Sequence, residues 1–207
     1  MFIGLRIDAP IIYDNRMRYE RWLGICALGV ALLSKAAGGG ASLPQIDACS
    51  LLLPAEISTA IGLPVENGTR KDDGLVRDGS YSSTCVWKVI PARLHPDDPT
   101  APLGGSSFVI LNAMQWPPGS GLAKKFLEAF RKAAVDGDIP HTPLPRTFGD
   151  EALWWGDGLA VRQGDVSFGI SVFIPGSSPK LAEEFEERLA PQILRRLEER
   201  ELRTRGS

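Results

Sequence analysis

The stretch Gly149–Ile174, GDEALWWGDGLAVRQGDVSFGISVFI, decides the fold. Gly-Asp pairs at 156–157 and 164–165 are hairpin signals that cut it into three short runs. The stretch therefore reads as three antiparallel strands in a meander. In the last run Phe168, Ile170, Val172 and Ile174 alternate with Ser167, Gly169 and Ser171. That period of two predicts one buried face and one lighter face. Trp154 and Trp155 are adjacent on a strand, so their indoles leave from opposite faces.

Working back from this meander, Ile139–Arg146 holds three prolines and no regular period, and reads as a crossing loop. Before it, Leu122, Phe126, Leu127, Phe130 and Ala134 recur at helical spacing, which predicts a helix capped by Ser120 and running to Val135. Phe108–Trp116 and Tyr81–Ile90 read as strands, and Val65–Asp78 as an exposed strand followed by a loop. Pro91–Ser107, with four prolines and two glycines, joins two of them as a long loop. Working forward, Ser178-Pro179 opens a last helix with Leu181, Phe185 and Leu189 as its stripe. Its acids come early and its arginines late, as the helix dipole favours, and Pro191 is expected to kink or split it. Beyond Leu197 it is expected to fray.

Asp47–Pro64, DACSLLLPAEISTAIGLP, holds the remaining helical segment. Asp47 suits an N-cap, Pro54 the first turn of a helix, Gly62 a left-handed stop, and Pro64 forbids continuation. So short a helix needs tertiary support. On the Tyr81–Ile90 strand Cys85, Trp87 and Val89 share a face, and a Cys49–Cys85 disulfide would pin the helix there if the chain is exported. Two buried free thiols are the alternative. The whole is therefore α+β: a single domain with an antiparallel sheet of about six strands packed by helices on one face, in the order α-βββ-α-βββ-α.

Asp47, Cys49, Ser50, Leu51, Leu52, Pro54, Ala55, Glu56 and Gly62, with Cys85 and Trp87 later, resemble the signature of a family of small exported bacterial proteins, many of them lipoproteins. The resemblance implies an exported domain with a Cys–Cys link and supplies no catalytic residues. The chain departs from that pattern at Leu53, where a Thr or Ser cap is usual, and in lacking a lipid-anchoring cysteine.

The first 41 residues read as a removable segment. From Met17, taken here as the true start, a charged opening precedes the apolar run Trp22–Leu33 and small residues through Ala41. Cleavage is expected after Ala41. Cys26 lies early in the apolar run behind the large Ile25, which does not fit a lipidation site. The remaining 42–207 carries 18 Lys/Arg against 22 Asp/Glu, a net charge of −4. That acidity argues against nucleic acid and against anionic lipid, leaving a membrane link only through an uncleaved signal anchor. A periplasmic or secreted location follows.

Catalytic candidates are sparse. His95 and His141 are the two histidines, both in proline-rich loops. Asp97-Asp98 and Asp150-Glu151 are acidic pairs, and Asp72-Asp73-Gly74 lacks the alternating oxygens of a calcium loop. No nucleotide cradle or zinc motif is present, so neither cofactor nor metal is expected. The aromatics point to binding: Trp116, Trp154 and Trp155 are candidates to line a site for a small apolar ligand or a partner protein. An envelope hydrolase assembled from loops is the alternative. It would need His95 or His141 beside a carboxylate and a serine.

Overall fold

The structure is a computed structural model that describes residues 45–90, 107–137 and 141–205. All of these belong to the unit Ser42–Ser207. Residues 1–41, read from sequence as a removable segment, with Met17 and Cys26 among them, and His95 and Asp97-Asp98 lie outside the described residues.

Seven strands form one antiparallel sheet in the order β1-β2-β3-β7-β6-β5-β4. In chain order they are β1 (Thr69–Leu75), β2 (Tyr81–Lys88), β3 (Phe108–Gln115), β4 (Leu144–Arg146), β5 (Glu151–Trp154), β6 (Leu159–Gln163) and β7 (Val166–Phe173). The helices are α1 (Ala48–Leu51), α2 (Pro54–Ile61), α3 (Leu122–Asp136) and α4 (Pro179–Arg205). The meander is present as read. The seventh strand is β4, where a loop is expected from sequence. Its three residues pair Leu144 with Trp154 and Arg146 with Ala152. Pro145 is tolerated because β4 is the edge, where a missing N–H disturbs no second ladder.

One face of the sheet carries the main core. Cys85 and Trp87 of β2, Val109 and Leu111 of β3, and Phe168, Ile170 and Val172 of β7 are buried there with Ile57, Leu189, Ala190 and Ile193 from the helices. The Cys49–Cys85 disulfide is formed, with Cα atoms 5.1 Å apart, and ties α1 to β2. The Asp47 carboxylate caps α1 through the Cys49 amide at 2.9 Å. At Leu53 the missing cap is made good from the other direction: Glu56 accepts the Leu53 amide at 2.9 Å. Its carboxylate also takes both terminal nitrogens of Arg196, at 2.6 and 2.8 Å, which locks α2 onto α4. Burial opposes ionisation of Glu56. The Arg196 and Leu53 hydrogen bonds and the two arginine charges outweigh it, so its pKa falls below the usual value.

Helix α4 runs from Pro179 to Arg205 through Pro191, neither split nor stopped at Leu197. Leu189, Ala190, Ile193 and Leu197 are buried on both sides of the proline, and that packing holds the turn that lost a backbone bond. Helix α3 begins one residue after the left-handed Gly121, with the Ser120 hydroxyl accepting from the Leu122 amide at 3.2 Å. It packs against β6 and β7. The expectation of helices on one face alone is corrected here. Buried Ala123 and Leu127 of α3 stand apart from the main core, on the face of β6 and β7 opposite Phe168 and Ile170.

Candidate functional site

The two adjacent tryptophans separate as their strand position requires. Trp154 faces the main core, where its indole N–H donates to Glu186 of α4 at 3.1 Å. The other Glu186 oxygen accepts the Val172 amide, also at 3.1 Å. The β6–β7 ladder ends at Leu159↔Ile170, so Val172 stands two residues past it and Glu186 replaces the absent strand. Glu186 is 1% exposed. Burial pushes its carboxyl up to about 8, reinforced by Asp157 and Glu187 and opposed by the two hydrogen bonds.

Trp155 goes to the other face and meets α3. Its ring lies 5.1 Å from that of Phe130, Phe130 lies 5.3 Å from Phe126, and Phe126 lies 5.6 Å from Trp116. The result is a row of four aromatic rings along β7. The lighter face of β7 accommodates it. Trp116 donates its N–H to Ser167 at 2.9 Å, and Trp155 lies against Gly158 and Gly169. Trp116 is buried and Trp155 half-buried, so they form a wall and leave no open aromatic pocket. Trp116 and Trp155 are thus brought together, and Trp154 is not. Sequence periodicity assigns Phe126 and Phe130 to a core stripe, and only the fold adds them to this row.

Beyond the row the same face continues over β3, β2 and β1. Register places Phe108, Ile110, Asn112 and Met114 beside Lys88, Val86, Thr84 and Ser82, with Phe173 next to Phe108 and Lys71 next to Thr84. Among the described residues no helix packs on this strip. Phe108 and Phe173 stack at 5.4 Å, and Phe173 is 51% exposed. Ile110, Val86 and Met114 are half-buried. A polar ladder crosses the strip: the Asn112 amide donates to Thr84 at 2.8 Å and Ser82 at 3.2 Å, and Ser82 donates to Asp73 at 3.4 Å. Lys71 and Lys88 stand at its rim, exposed and without an ionic partner among the described residues.

The other candidates are bound up in structure. Asp150 pairs with Arg162 at 2.8 Å, and Glu151 with Arg131 at 2.6 Å. Asp72 is held by Arg70 and by the Tyr81 hydroxyl at 3.1 Å, and its carboxyl is lowered to about 2, chiefly by the Arg70 hydrogen bond. His141 is exposed and lies against Gly156. No group of three or more His, Cys, Asp or Glu able to hold a metal occurs among the described residues. A shallow cleft of about 410 Å³ between α2 and α4 is lined by Ala55, Glu56, Thr59, Ala60, Arg188 and Gln192. Another of about 240 Å³ lies between α1 and the end of α4, and neither is lined by tryptophan. Comparison with protein-family models, curated proteins and solved structures finds no match.

Proposed function

We propose that this chain is an exported, non-enzymatic domain of the cell envelope that binds a partner protein through the strip of sheet over β1, β2 and β3. The observation that carries this reading is the stacked Phe108–Phe173 pair, half open to solvent on a face where the other half is roofed by α3. The exposed Phe173 ring and the part-buried Phe108, beside Ile110 and Val86, lose little conformational freedom on contact and release ordered water, the usual core of a protein interface. The rim has both signs, Lys71 and Lys88 against Asp73, which suits orientation of a partner.

Attachment through a sheet edge fits less well. The β1 edge carries Arg70, Lys71, Asp72 and Asp73, with a register shift between Asp72 and Gly74, and the β4 edge is three residues long with Pro145 in its middle. Charge, irregularity and proline all discourage strand addition. A small apolar ligand would want an enclosed cavity, whereas the strip is open. The Cys49–Cys85 disulfide supports an oxidising compartment, periplasmic or extracellular.

A photo-crosslinking residue placed at Ile110 tests the reading in the cells that make the protein. A discrete protein adduct from Ile110, absent when the probe sits at exposed Leu181 of α4, is the expected result. Equal adducts from both positions would remove the strip as the binding surface.

A further inference from the structure

The dimensions of the strip say what kind of partner it takes. Three strands about 4.8 Å apart give it a width of about 14 Å, and eight residues at about 3.4 Å give it a length of about 27 Å. The area, roughly 400 Å², is half of the ~800 Å² that each side of a stable protein pair buries. Two copies laid sheet to sheet would bury no more than this, whereas a helix seated in the strip also buries its flank against the aromatic row. An extended segment would leave most of the width bare, and strand pairing is not available on a face. One α-helix, about 10–12 Å across with its side chains, fills the strip.

The molecule already contains the pattern for such packing. Helix α3 occupies the neighbouring half of the same face, seated on β6 and β7. The row Trp116, Phe126, Phe130, Trp155 runs along its flank above β7. A second helix laid beside α3 at the usual 8–10 Å would have this row as its side wall and Ile110, Val86 and the Phe108–Phe173 pair as its floor. Resting on the reading of the strip as a docking surface, we propose that the partner presents an amphipathic helix that lies alongside α3. Its apolar stripe, at i, i+3, i+4 and i+7, meets that floor. One amide or carboxylate within the stripe faces the Asn112–Thr84 pair and Lys71.

Selection from a random 16-residue peptide library displayed on phage, against the immobilised protein with its disulfide intact, separates the possibilities. Enriched peptides with helical apolar spacing, gaining helix on binding and losing at least tenfold in affinity to Ile110→Lys, are expected. Phe173→Lys provides a second variant at a half-exposed position, and near-UV circular dichroism checks that both retain the wild-type core. Peptides with period-two spacing that also fail on both variants would overturn the helix and leave the docking surface standing. Peptides that bind both variants as well as they bind wild type, or no enrichment at all, would overturn the docking surface and the helix with it.

Discussion

Glu186 of α4 accepts the indole N–H of Trp154 at 3.1 Å while its second oxygen accepts the amide of Val172, so one carboxyl joins a helix to two strands. The group is almost wholly buried, and its folded pKa, about 8, lies well above the 4.5 of an unperturbed glutamate. A raised acid favours the folded state where it is neutral. Its contribution is full below pH 4.5 and is lost as pH rises toward 8, because the unfolded chain ionises first. Stability should therefore fall across that window by up to about 1.4 kcal/mol per pH unit from this group. Urea melts at several pH values check it, and Glu186→Gln should flatten the slope while losing one of the two hydrogen bonds, because an amide offers a single acceptor to the two N–H groups.

The disulfide gives a second prediction. Cys49 and Cys85 are 36 residues apart, and chain-entropy arithmetic assigns such a link about 4 kcal/mol before native strain is subtracted. Reduction, or the Cys49→Ser/Cys85→Ser pair, should lower stability by about 3–4 kcal/mol in denaturant melts. Backbone protection at α1 should be lost first, since four residues cannot hold a helix unaided.

Two glycines under Trp155 should behave differently. A Cβ at Gly158 would come within 2.5 Å of the indole, whereas one at Gly169 would sit 3.7 Å away in ordinary contact. Gly158→Ala should cost about 1–3 kcal/mol and alter the near-UV dichroism of the aromatic row. Gly169→Ala should leave that signal close to wild type.

Glu56 and Arg196 should be coupled. Each meets the other through two hydrogen bonds in a partly buried setting, and Glu56 also holds the Leu53 amide. A double-mutant cycle with alanine should return an interaction of about 1 kcal/mol, above the usual exposed pair. Each single substitution should cost more than the coupling, because Glu56→Ala also removes the Leu53 cap and Arg196→Ala the hydrogen bond to the Leu51 carbonyl at 3.1 Å.

Much of this was legible in the residues, and the gaps have physical causes. Alternation and Gly-Asp turns disclosed β5, β6 and β7, and proline with glycine marked the ends of α2. Strand β4 was hidden because Pro145 and a three-residue length erase any period, and only pairing to β5 makes it a strand. The opposed tryptophans follow from adjacency, but which helix would cover Trp155 depends on packing between elements far apart in sequence. Glu186 was concealed among the four acids that open α4. Its spacing from Leu189, Ala190 and Ile193 nonetheless puts it on the inward stripe, and that periodicity is the signal that would have found it.

If the strip over β1–β3 serves binding and is not part of this domain's own core, charges placed on it should remove the partner and spare the fold. The direct test is to make the Ile110→Lys/Phe173→Lys protein, measure its thermal midpoint, and recover it with its crosslinked partner from the envelope. A midpoint within a few degrees of wild type and loss of the partner are the expected results. A large drop in midpoint would mean that these side chains are core residues. A retained partner would mean that binding occurs elsewhere.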